Sequence, residues 1–355
     1  VNLYGLDLVH EELKTGFQKQ FVFDEYVYAT SIRGLEVFDI ENPALPQLIY
    51  EIELPGDVWL IAQNENILVL GTYWDLYTID ISDPRQPRVA GEYHKNRRGT
   101  GFLLEKLHIY RNHVYVSGYP GLLIFSIQDP EHPRLVHEMS GEIGQVQNIA
   151  IFSDYLYVFN RHSLSLYTFT LENPAEPQLI NRLHTESYDM SLQQYDNYLY
   201  LMGGGRPTNI ICLDNPEEPE IVAIGVMEEG ESHIVGNQLW IEFRDEEIGR
   251  QYMKLYSLED PAHPRFLRNW LDRAIFDCAA QIENLVITSS NKIELWSNPL
   301  DNDFELIGVH RTSRQPNRMA KDGDFWYVSS YGTIYAIHQT APDQTEIVDS
   351  IQVEE

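Results

Sequence analysis

The chain has 355 residues, with 54 acidic against 25 basic side chains and a formal net charge of −29. A surface this acidic repels phosphate backbones and anionic lipid, which excludes nucleic acid as an expected partner. No apolar run approaches the roughly 18 residues that a membrane-spanning helix needs.

Residues 1–16 precede the first strand and are read as an extension that caps or clasps the last repeat. From residue 17 onward one phrase recurs. It reads Leu35-Glu-Val-Phe-Asp-Ile-Glu-Asn-Pro43-Ala-Leu-Pro46, then Leu76-Tyr-Thr-Ile-Asp-Ile-Ser-Asp-Pro84-Arg-Gln-Pro87, then Leu122-Leu-Ile-Phe-Ser-Ile-Gln-Asp-Pro130-Glu-His-Pro133. It returns at Asn173-Pro174-Ala-Glu-Pro177, Asn215-Pro216-Glu-Glu-Pro219 and Asp260-Pro261-Ala-His-Pro264, and in degenerate form at Asn298-Pro299 and Ala341-Pro342. The first prolines lie 41, 46, 44, 42, 45, 38 and 43 residues apart. A period near 43 is that of a propeller blade. The repeats span about 17–54, 57–94, 102–139, 146–184, 187–226, 231–270, 275–310 and 316–353.

Each unit reads as four short antiparallel strands. Asp or Asn before Pro opens a turn, and the second Pro removes the next backbone donor. Upstream lies another recurrent strand, as in Val114-Tyr-Val-Ser and Leu156-Tyr-Val-Phe, preceded by a polar hairpin such as Arg111-Asn112 or Asp196-Asn197. No long stretch has helical periodicity. The phrase resembles the LVIVD repeat family of bacterial and archaeal proteins over nearly the whole chain. The resemblance implies an all-β fold, a single β-propeller of about eight four-stranded blades, with seven blades and an irregular terminal sheet as the alternative. It also implies an exported, periplasmic or cell-surface setting, and it brings no shared catalytic residues. The sequence opens at Val1 and is read as a processed or trimmed form. Cys212 and Cys278 have no metal-type spacing and are read as small buried thiols.

In a propeller the first strand of each blade lines a central channel. The position eight residues before each second strand holds Lys19, Trp59, Lys106, Asn148, Ser191, Glu231, Asp277 and Arg318, a polar column at one depth. Two residues further on stand His108, Gln193 and His233 among apolar residues. Lys106, Glu231, Asp277 and Arg318 are the candidates for acid, base and anion-holding roles if the chain is an enzyme of lyase, hydrolase or isomerase type. Loops on the same rim carry Trp74, Arg97, Tyr119, Arg161 and Tyr331, the Arg and aromatic mixture of binding hot spots. The leading expectation is a non-catalytic recognition propeller. It binds a small anionic or zwitterionic ligand, or a protein partner, through the channel mouth and rim, as a monomer. The histidines form no metal pattern and no Gly-rich stretch has a phosphate-loop context, so neither metal nor cofactor is expected.

Overall fold

A computed structural model describes residues 17–352, apart from 24, 32, 40, 42–46, 95–102, 120, 142, 147, 161, 186–190, 203–207, 226–231, 236, 246–249, 272–276, 281–283, 290–291, 298–304, 312–317, 323–324, 331–332 and 342–343. The described residues form eight four-stranded sheets, numbered 1 to 8 along the chain, and no helix. In every sheet the strands follow chain order, so each is an antiparallel meander.

By contacts the chain divides into two compact units. The first holds residues 1–92 and 275–355. Within it, the first strands of sheets 7, 8, 1 and 2 lie side by side in that order: Asp277–Ala280, Arg318–Asp322, Phe17–Phe23 and Leu60–Asn64. The last sheet of the chain therefore packs against the first. The second unit holds residues 93–274. Its first strands, Leu103–Tyr110, Asn148–Phe152, Ser191–Tyr195 and Ser232–Val235, are neighbours in chain order.

Where it is described, the recurrent phrase ties its own sheet by four bonds, and a fifth joins it to the preceding sheet. Its Asp, Ser or Thr two residues before the buried spacer's successor accepts a backbone N–H two positions on: Glu41 N to Asp39 at 2.8 Å, Ser82 N to Asp80 at 2.9 Å, Glu172 N to Thr170 at 3.3 Å. The following Ile or Leu is buried, and its N–H reaches the carbonyl of the hairpin between strands one and two. Ile81 bonds Asn66 at 2.8 Å, Ile127 bonds Asn112 at 2.9 Å and Leu213 bonds Asn197 at 2.8 Å. The Asp or Asn before Pro then closes the turn twice. Its side chain accepts the N–H two residues on, as Glu131 to Asp129 at 3.1 Å, and its carbonyl accepts the N–H three residues on, as His132 to Asp129 at 3.1 Å. The second proline is buried in sheets 2 to 6.

The fifth bond joins consecutive sheets. In the second unit a tyrosine on the second strand, fully buried, donates its hydroxyl to the first proline's carbonyl in the next sheet. Tyr115 reaches Pro174 at 2.7 Å, Tyr157 reaches Pro216 at 2.8 Å and Tyr200 reaches Pro261 at 2.8 Å. Burial and neighbouring tyrosines hold these phenols well above their ordinary pKa, so they remain donors. In the first unit, Arg85 of the sheet 2 turn reaches Tyr26 at 3.1 Å and Asp39 at 3.1 Å in sheet 1.

Third strands are buried on both faces, as in Leu122–Ser126 and Ser165–Thr170, because a neighbouring sheet covers each side. Fourth strands are half exposed and carry a bulge. In seven sheets the register of strands three and four slips by one residue, leaving Ile49, Val136, Ile180, Val222, Leu267, Ile307 and Val348 as the extra positions. Such bulges twist an outer strand away from edge pairing with another chain. Cys212, on the third strand of sheet 5, is a free thiol and only partly buried, because it stands at the strand's end beside Tyr198.

Two substitutions test this construction. Tyr157→Phe strands the Pro216 carbonyl and lowers unfolding free energy in urea by about 1–3 kcal/mol. Gly121→Ala brings a Cβ to within 2.0 Å of the Met139 carbonyl oxygen, and costs about 1–3 kcal/mol through overpacking.

Candidate functional site

The polar column is realised in the pairing. Lys19, Lys106, Asn148, Ser191, Asp277 and Arg318 pair with Thr30, Ser117, Phe159, Met202, Thr288 and Ser329, the same register position in each sheet. Sheet 2 departs from the sequence alignment by one residue. There Leu60 pairs with Gly71 at the column position, and Trp59 lies one residue before the strand. The cause is that the hairpin alignment took Ile67, the hairpin's own closing residue, as the strand start, whereas Leu68 is the equivalent of Val114 or Leu156.

In the second unit the structure brings three sequence candidates together. The Lys106 amine donates to the Asn148 side-chain carbonyl across the gap between the first strands of sheets 3 and 4. Asn148 is only 4% exposed. Two residues along from Lys106, His108 sits on the same strand face. Burial, with the Lys106 charge adding to it, pushes its pKa down to about 4, so it is neutral at pH 7. One sheet on, Gln193 Nε2 donates to the Ser232 carbonyl at 3.0 Å between the first strands of sheets 5 and 6. These polar groups bond across adjacent strands and so act as sutures between sheets.

In the first unit a second cluster forms around Trp59. The ring centroids of Trp59 and Tyr73 are 3.7 Å apart, with planes at 64°. Trp59 enters the first strand of sheet 2, its backbone N–H reaching Gly71 at 3.2 Å, and Tyr73 lies in the loop between strands two and three. Thr72 shapes that loop: its hydroxyl oxygen accepts from Trp74 N at 3.3 Å and Asp75 N at 3.0 Å. The result presents Tyr73, 40% exposed, with Trp74 half-buried beside it. The Trp59 indole N–H is buried without a hydrogen-bond partner among the described residues. The sequence pointed to Trp59 and Trp74 separately. Their association through Tyr73 follows from the strand pairing, which sets residue 59 opposite the 72–74 loop.

Lys19, Tyr119, His233, Asp277 and Arg318 are described as strand positions only. Glu231, Arg97, Arg161 and Tyr331 lie outside the described residues. Among the described residues no group of three or more His, Cys, Asp or Glu side chains is arranged to hold a metal ion, and no helix is long and apolar enough to cross a membrane.

With this geometry in view, comparison with known proteins decides the fold. The LVIVD repeat family matches residues 55–95, the span of sheet 2. The chain carries an LVIVD repeat and folds as a β-propeller. Among solved structures it is similar to the computationally designed Ika8 protein, at 13% identity and a TM-score of 0.67, over 90% of this chain and 94% of that one. It is similar to Sqt1 from Chaetomium thermophilum, at 11% identity and a TM-score of 0.64, over 89% and 94%. BamB from Moraxella catarrhalis aligns at 10% identity and a TM-score of 0.62, over 88% and 93%. No curated protein matches the sequence significantly. At such identities the likeness carries the propeller fold alone.

The buried His108 makes a pH prediction. An unfolded histidine titrates near a pKa of about 6.5, whereas folded His108 titrates at about 4. Between those values the unfolded chain binds a proton that the folded chain refuses, so this residue's contribution to stability is lost as pH falls through that window. Urea titrations at pH 7 and pH 4.5 will show a smaller acid loss for His108→Gln than for the parent.

Proposed function

We propose that this LVIVD-repeat propeller is a non-catalytic recognition module, exported or displayed at the cell surface, which binds through the loop rim around its channel mouth. The fold and its repeats support a binding or scaffolding role. The observation that carries the reading is the Trp59–Tyr73–Trp74 corner, where a loop tied by Thr72 holds aromatic rings partly exposed to solvent. Aromatic anchors on a stiffened loop lose little conformational entropy on binding, and they dominate interface energetics. A ligand acceptor that reached the Trp59 indole N–H would relieve an unmet buried donor. The partly exposed Tyr73 and Trp74 rings suit a small anionic or zwitterionic ligand or the polar surface of a protein.

The Lys106–Asn148 bond favours this reading over the enzyme alternative. A lysine held as a charged donor to an amide, beside a neutral histidine that resists protonation, is poorly placed for proton transfer near neutral pH.

A thermal-shift screen of organic acids, amino acids and sugars, run on the parent and on Trp74→Ala, tests the proposal. A ligand at 100 times its Kd adds about 2.7 kcal/mol to the parent. The expected result is that Trp74→Ala keeps its own melting behaviour and weakens the ligand at least about tenfold. A ligand that stabilises both proteins equally removes the aromatic corner from recognition.

A further inference from the structure

The outer strands of sheets 4 and 5 each expose two apolar side chains, where those of sheets 2 and 6 expose one each, Val89 and Phe266. At the bulge, Ile49 of sheet 1 and Val136 of sheet 3 pack against buried clusters. The equivalent Ile180 and Val222 are 43% and 41% exposed. Leu179 at 49% and Ile224 at 46% extend the exposure along Gln178–His184 and Glu220–Ile224. Asn181 Nδ2, within the first of these strands, donates to the Glu217 carbonyl at 3.1 Å in the turn that leads into the second. Isolated surface leucines or valines are ordinary, but these four stand on two outer strands whose Leu183 and Ile221 pack on one buried cluster, and together they make a patch of the kind that marks an interaction surface.

What surrounds the patch indicates its occupant. Glu217 and Glu220 flank it and are exposed. The nearest cation on these strands, Arg182, is engaged at home: its guanidinium lies 5.3 Å from the Tyr167 ring centroid and its Nε reaches Ser165 Oγ at 3.1 Å. The patch is therefore apolar with an acidic border, in which Glu217 accepts the Tyr155 hydroxyl at 2.8 Å and no second lysine or arginine stands on either strand. A second copy of the chain brings the same acidic border and a net charge of −29, and an anionic membrane is repelled in the same way. The bulges at Ile180 and Val222 turn the strands away from backbone pairing, so the partner covers side chains and does not add a strand.

We infer that the outer strands of sheets 4 and 5 form a docking surface for an amphipathic segment of another protein, apolar along one side and bearing lysine or arginine at its flanks. The inference does not rest on the aromatic corner.

The test uses fluorescence anisotropy with two labelled synthetic 14-residue peptides of equal positive charge, one of leucine and lysine in amphipathic helical spacing, the other with every leucine replaced by serine. The parent is compared with Ile180→Ser/Val222→Ser, whose changes lie on exposed positions, and with Glu217→Gln/Glu220→Gln. Melting curves confirm that all three are folded. The expected result is binding of the leucine peptide, weakened at least tenfold by the serine pair, weakened several-fold and made less salt-sensitive by the glutamine pair, and at least tenfold weaker for the serine peptide. Equal binding of both peptides, or a serine-pair variant that binds as the parent does, would reduce the effect to bulk charge and overturn the inference. A parent that binds neither peptide overturns it as well.

Discussion

The structure depends on the turn made by Asp or Asn before Pro. A four-stranded sheet cannot cover both of its faces, so each must be held against its neighbours. The turn carbonyl does this in the second unit by accepting the hydroxyl of a fully buried tyrosine from the preceding sheet. Proline suits that acceptor position because it fixes φ and offers a carbonyl with no competing N–H. The same turn is tied inward to the hairpin of its own sheet through Ile81, Ile127 or Leu213. One short phrase thus fixes a turn, a hairpin and a contact between sheets, which explains why it recurs with so little variation in chemistry.

The repeated scaffold leaves two places free to differ between sheets. One is the loop between strands two and three, where sheet 2 presents Tyr73 and Trp74. The other is the outer strand, where the bulged residue is packed in sheets 1 and 3 and exposed in sheets 4 and 5. The first strands are less free. Two of their polar side chains bond to the adjacent first strand, Lys106 to Asn148 and Gln193 to the Ser232 backbone. Polarity at that depth therefore serves the joint between sheets before it serves any ligand.

Much of this was legible in the sequence, because the repeat displays it eight times. The turn, the four-strand unit and the polar column follow from periodicity and turn chemistry. Trp59 was misaligned because Ile67 imitates the first apolar residue of a second strand, and only the pairing of Leu60 with Gly71 sets the register. The bulges left a signal that went unused: two successive apolar residues follow the second proline, as in Leu179-Ile180 and Ile221-Val222, which breaks the alternation of a half-buried strand. The Tyr-to-Pro bond was beyond sequence reading, since its partners lie 59 to 61 residues apart and meet only when sheets stack. The Trp59–Tyr73 contact likewise required the strand register.

The central claim separates the polar joint from the recognition surface, and one paired measurement tests it directly. Lys106→Met and Trp74→Ala would be compared for both urea stability and affinity for the strongest ligand of the thermal-shift screen. The account predicts a crossing: Lys106→Met loses stability by about 1–3 kcal/mol, as expected for a charged hydrogen bond with a buried acceptor, and keeps its affinity, while Trp74→Ala keeps its stability and loses affinity. A Lys106→Met protein that is as stable as the parent but no longer binds the ligand would contradict the account and move the site to the first strands.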